Sequence, residues 1–147
     1  MNAPSPPLKP TTNTRLLHPT TGLPVFGVVP QVKFRGVFLP SAEIVLLHGR
    51  PQFGAVHIWK RHASDMRKRG LNNLDHVSEF VSMIVRPWAP LHLEGGHRND
   101  RLTVVQSSSG TAILELREHD FEPVFYSVVT AFLGQRRQGP RVGKLLG

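Results

Sequence analysis

The sequence predicts an α+β fold: one or two N-terminal helices packed on a curved, mainly antiparallel sheet of about four strands. Three observations carry this expectation. Apolar residues recur at helical spacing in only two stretches, residues 54–69 and 74–85. From Leu91 onward the pattern turns to short β-rich runs separated by turn residues. The chain has 147 residues and 39% hydrophobic content, enough for one domain with one modest core.

Residues 1–22 contain Pro4, Pro6, Pro7, Pro10 and Pro19 among Thr, Asn and Ser, without apolar periodicity. A flexible leader is expected there. Residues 23–133 then form the single α+β domain, and 134–147 a basic C-terminal tail. Residues 23–50 read as β-structure, with Glu43 to Leu47 a short buried strand closed by Gly49, Arg50 and Pro51. In the first helix Val56, Trp59, Ala63 and Met66 share a face. Arg67, Lys68 and Arg69 sit in its last turn, where cations complement the helix dipole, and Gly70 is a natural cap. In the second helix Leu74, Val77, Phe80, Val81 and Ile84 form the apolar face, Asn73 can cap the start, and Pro87 and Pro90 stop it. Strands are expected at 90–93, 101–106, 111–117 and 124–132, with short turns that predict an antiparallel meander.

The formal charge is +8, from 18 Lys and Arg against 10 Asp and Glu, and no acid precedes Glu43. Such an excess favours a polyanionic partner, nucleic acid first, through counterion release. The chain lacks cysteine, so disulfides, zinc–thiolate sites and thiol catalysis are excluded. No apolar run reaches the roughly 18 residues of a membrane span, and Met1 to Pro10 lack the apolar core of a secretory signal. Phosphate-binding glycine loops, a dinucleotide fingerprint and a Gly-x-Ser-x-Gly elbow are also missing.

The densest chemistry lies in Gly54-Ala55-Val56-His57-Ile58-Trp59-Lys60-Arg61-His62. On a helix, His57, Lys60 and Arg61 share one side. Histidine exchanges a proton near neutral pH, and neighbouring cations favour its neutral ring, which suits a general base. Lys60 and Arg61 can hold a phosphate as charge builds on it. His57 and His62 are five positions apart, about 140° round a helix, which does not suit one metal ion. No metal and no cofactor is expected, and His62 is expected to pack on the later strands. In the last strand, alternation puts Tyr126, Val128, Thr130 and Phe132 on one face, with Ser127 and Val129 on the other. The Thr130 hydroxyl can donate to a phosphate. Arg98 and Arg101 (with His97) in the first hairpin, and Arg136 and Arg137 in the tail, are candidate RNA contacts with Lys60.

The Gly54-x-x-His57-Ile58-x-x-Arg61-His62 stretch resembles the barnase–EndoU–colicin–RelE superfamily of metal-independent ribonucleases. It does so together with the following helix, the meander and the strand Tyr126-Ser127-Val128-Val129-Thr130-Ala131-Phe132. The nearest branches are the phage-associated and polymorphic-toxin ones, and the resemblance covers about residues 43–133. It implies RNA on the open face of the sheet. It also implies attack of a ribose 2′-oxygen on its own phosphate, leaving a 2′,3′-cyclic end. His57 would be base or acid, Arg61 and Lys60 would stabilise the phosphorane, and Thr130 would orient the phosphate. His62, Tyr126 and His97 are the candidates for the second proton carrier. The expected function is therefore a toxin-like endoribonuclease, with transfer RNA a candidate substrate and an acidic immunity or antitoxin protein as partner. It would act in the cytoplasm, delivered there within a larger secreted or phage protein. The alternative is a non-catalytic RNA- or protein-binding module of the same fold, an inhibitor or phage accessory protein for example.

Val56, Trp59, Phe80, Ile84, Ile113, Leu114 and Val128 are the expected core. If Trp59 is buried, Trp59→Ala removes roughly 3–5 kcal/mol, measurable by denaturant unfolding.

Overall fold

A computed structural model describes residues 9–94, 102–119, 122–135 and 139–147. Strands β1 (Gly27–Val29), β2 (Val32–Phe34), β3 (Val37–Leu39) and β4 (Ala42–Val45) come first. Helix α1 (Gly54–Lys68), a single 3₁₀ turn (Leu74–His76) and helix α2 (Val77–Ile84) follow. Strands β5 (Pro90–Leu93), β6 (Leu102–Ser107), β7 (Gly110–His119), β8 (Glu122–Phe132) and β9 (Arg141–Lys144) complete the chain.

The expected architecture is corrected in three respects. The main sheet has seven strands rather than four, in the order β1-β4-β8-β7-β6-β5-β9, and curls into a mixed half-barrel. β2 and β3 form a separate two-stranded sheet. The helices are not N-terminal: four strands precede them. The meander β5-β6-β7-β8 is antiparallel throughout, but β4 joins β8 in parallel, with Ile44 opposite Tyr126 and Val45 opposite Ser127. Strands of three or four residues account for most of the difference, because they are too short to show a period.

Described residues of the expected flexible leader and of the basic tail are tied into this sheet. Leu16 N–H donates to Leu46 O at 2.8 Å, His48 N–H donates to Thr14 O at 2.8 Å, and Arg15 bridges Leu47. At the other end β9 pairs antiparallel with β5, and Leu145 is fully buried.

One face of the sheet carries the main core. Ile44, Leu91, Val105, Leu114, Leu116, Tyr126, Val128 and Ala131 meet Ala55, Ile58 and Met66 of α1 and Val77, Phe80, Val81 and Ile84 of α2. α2 follows its expected apolar face, although Asn73 makes no side-chain cap bond. α1 does not follow its expected stripe. Its buried positions are Gly54, Ala55, Ile58 and Met66, while Val56, Trp59 and Ala63 are half-buried. The buried face is rotated by roughly one residue from the expected one while keeping helical spacing, and His62, with a φ of −127° and a ψ of 24°, separately breaks the helix. Trp59 lies at the rim of the core with the Arg67 guanidinium 5.2 Å over its ring.

The opposite face is polar over much of its width. Glu115, Arg117, Ser127 and Val129 line a cleft there, and a small apolar cluster of Val45, Leu47 and Phe125 with Phe53 borders it. Among the described residues no helix is long and apolar enough to cross a membrane.

Ile58 is fully buried and Trp59 is not, so their truncations should rank against side-chain size. Ile58→Ala is expected to lower stability by about 3–4 kcal/mol and Trp59→Ala by about 2 kcal/mol. Urea unfolding of the two variants checks the order.

Candidate functional site

Two local features build the site. The first is the loop between β4 and α1, which turns at Gly49 (φ 76°) and re-enters at Gly54 (φ 81°). A side chain at Gly49 would overlap Phe53 O, and one at Gly54 would come within 2.7 Å of Leu47 O, so both positions need glycine. Arg50 and Phe53 exchange two backbone hydrogen bonds of 3.0 Å. This closed loop points Pro51 O at the first turn of α1.

The second feature is a bulge in β8. Ile113 pairs with Thr130 and Leu114 pairs with Val128, which leaves Val129 as an extra residue. Val128 and Ala131 face the core, so Val129 and Thr130 both fall on the polar face, together with Ile113, Glu115 and Arg117 of β7. The alternation expected for β8 is corrected accordingly. Tyr126 and Val128 face the core, and Thr130 faces the other way.

β4 accompanies β8 only as far as Ser127. Beyond that point α1 lies against the edge of β8. Leu133 N–H donates to Asp65 Oδ2 at 2.9 Å, and His57 Nε2 lies 3.1 Å from Thr130 Oγ1. His57 Nδ1 lies 2.9 Å from Pro51 O. A carbonyl only accepts, so Nδ1 carries the proton, and Nε2 of the neutral ring is the acceptor for the Thr130 hydroxyl. Both ring nitrogens are thereby oriented.

His62 packs on β8 as expected, its ring centroid 5.4 Å from that of Phe132. The break in α1 also turns it towards His57, with ring centroids 6.2 Å apart at an edge-on 75°. Burial holds the His62 pKa below its ordinary value. Asp65 opposes that shift, while His57 and Arg61 add to it. At neutral pH the His62 ring is neutral. Lys60 and Arg61 are exposed on the outer side of the helix, and Arg61 acts on the site through its charge beside His62.

Tyr126 does not belong to this cluster. It is fully buried, its hydroxyl donates to Pro40 O at 2.8 Å, and burial pushes its pKa far up. A phenol held in the core cannot reach a substrate, so its candidacy as a proton carrier is corrected. His97, Arg98, Arg101, Arg136 and Arg137 lie outside the described residues.

Sequence reasoning missed Arg50, Gln52, Arg117 and Ser127. These residues line the cleft of about 430 Å³ on the same sheet face as Thr130. The glycine spacing of the 49–54 loop was the one available signal, because a loop pinned at both ends presents its side chains in fixed directions. No protein-family model matches the chain, and no curated protein matches it.

The His62 shift has a signed consequence. The unfolded chain takes up this proton near the ordinary value of 6.5 and the folded chain takes it up lower. The His62 contribution is therefore complete above that value and is lost as pH falls through it to the folded pKa. In urea unfolding between pH 7.5 and 5, His62→Phe should lose less stability on acidification than the parent protein.

Proposed function

We propose that this chain is a metal-independent endoribonuclease that cleaves RNA by 2′-OH transesterification. One observation carries the reading. Two imidazoles lie 6.2 Å apart, one of them held at both nitrogens, at the edge of a sheet face whose cleft is lined by Arg50 and Arg117.

The reaction needs a proton acceptor, a proton donor and positive charge around one phosphate. His62, neutral at working pH, accepts the proton of the ribose 2′-hydroxyl. The 2′-oxygen bonds to phosphorus and the bond from phosphorus to the 5′-oxygen breaks. His57 in its protonated form has oxygen acceptors at both nitrogens, Pro51 O and Thr130 Oγ1, and delivers its Nε2 proton to the departing 5′-oxygen. Thr130 holds the His57 ring in place until then and afterwards donates to a phosphate oxygen. Arg61 and Lys60 attract the backbone from the outer side. A toxin role, transfer RNA as the substrate and an acidic immunity partner are proposed along with this activity, from the charge of +8 and the Pro-rich leader.

Incubation with total RNA in EDTA tests the reading. Cleavage is expected to persist, to leave 2′,3′-cyclic ends, and to fall about 100- to 10,000-fold in His57→Ala. Thr130→Ser should retain most of the rate and Thr130→Val should not. Intact RNA with the unaltered protein, or equal cleavage by His57→Ala, would leave a non-catalytic RNA- or protein-binding module as the better account.

A further inference from the structure

The cleft beside the two histidines contains groups that the proposed cleavage does not use. The guanidinium carbons of Arg50 and Arg117 lie 5.5 and 5.3 Å from the centroid of the same Phe53 ring. Stacking on an aromatic face fixes the planar fork and leaves its N–H donors free at the edges. Among the described residues neither arginine forms an ion pair. Ser127, only 2% exposed, lines the same cleft, and its hydroxyl has no hydrogen-bond partner. A buried hydroxyl without a partner is a standing penalty that a bound acceptor removes. Among the described residues Glu115 is the one carboxylate lining the cleft, and the two arginines outweigh it.

We infer that this cleft is a second phosphate subsite, in which Arg50, Arg117 and the Ser127 hydroxyl hold a phosphate flanking the scissile one. The inference rests on the RNA reading above. Ser127 and Thr130 pair with Glu115 and Ile113, two residues apart on β7, so they lie about 7 Å apart along the sheet, a span that neighbouring phosphates of one chain can bridge. The subsite therefore sets which way the strand runs across the sheet and which linkage reaches His57. The same chemistry would also accept free inorganic phosphate, and the two sources separate experimentally.

The test uses the His57→Ala protein, so that binding is read without cleavage. Affinity for a short single-stranded RNA is measured against salt concentration. Arg117→Gln and Arg50→Gln are each expected to weaken binding about tenfold and to lower the salt slope by about one. Arg35→Gln, on the separate β2–β3 hairpin, should change neither. Ser127→Ala should weaken binding several-fold while leaving the thermal midpoint unchanged or higher, because the lost hydroxyl has no partner in the free protein. A structural role for Ser127 would lower the midpoint instead, and that result would count against the subsite. Unchanged affinity and slope in both arginine variants would overturn it. So would inorganic phosphate binding that depends on Arg117 while RNA binding does not, since the cleft would then be a free-anion site. The cleavage assay varies His57 and Thr130 and no cleft residue, so failure of either reading is seen separately.

Discussion

Gly49 and Gly54 approach so closely that a side chain on either would collide with the backbone around the other, and the site depends on this contact. The approach closes the loop at the end of β4 into a rigid unit. Three consequences follow from one backbone constraint. Pro51 O is presented to His57 Nδ1, which fixes the tautomer. Phe53 is pressed against Val45, Leu47 and Phe125, forming the apolar floor beside the cleft. Arg50 is placed over Phe53 opposite a strand that delivers Arg117 to the same ring. A looser loop would still connect strand to helix, but it would not hold a carbonyl, a ring and a guanidinium in fixed relation.

The bulge at Val129 matters for a different reason. A regular β8 would carry Thr130 on the core face with Tyr126 and Val128, away from Arg117 and Ser127. One extra residue reverses the alternation and puts the hydroxyl on the polar face, where α1 can meet it. The break at His62 does the same for the helix, turning towards His57 a ring that regular spacing would send elsewhere. Two departures from periodicity, one in each element, thus bring three side chains together.

These departures also mark how far the sequence was legible. The meander, both helices and most of the α2 face could be read because long amphipathic elements repeat their pattern several times. His57, His62 and Thr130 could be singled out by residue type and spacing. Their mutual placement could not, because a bulge and a helix break leave no signature in a single sequence, and strict alternation wrongly grouped Thr130 with Tyr126. Residues 23–50 could be read as β-structure, but the number and pairing of the short strands could not, and β9 was missed. β1, β2, β3 and β9 have three or four residues among Pro and Gly, and the parallel join of β4 to β8 links segments some eighty residues apart. The pairing energy of such strands comes from non-local contacts, which local patterns do not encode. The leader shows the same limit, since Leu16 and Thr14 bond to Leu46 and His48, which lie far along the chain.

Under the proposed RNA reading the polar face is the anion surface, and the support of its arginines bears on how they would serve it. Arg15 lies 4.8 Å over Phe125, and Arg50 and Arg117 lie over Phe53, so the arginines of this face rest on aromatic rings. A solvated arginine loses side-chain freedom when it binds a phosphate. An arginine already stacked has lost much of that freedom on folding, and its fork is available in one orientation. Lys60 and Arg61, exposed on α1, suit long-range attraction, because a mobile cation attracts without needing a fixed direction. On the proposed reading two electrostatic tasks are divided by their support: exposed cations on the helix would draw a polyanion in, and arginines held over aromatic rings beside and on the sheet would decide how it lies relative to His57.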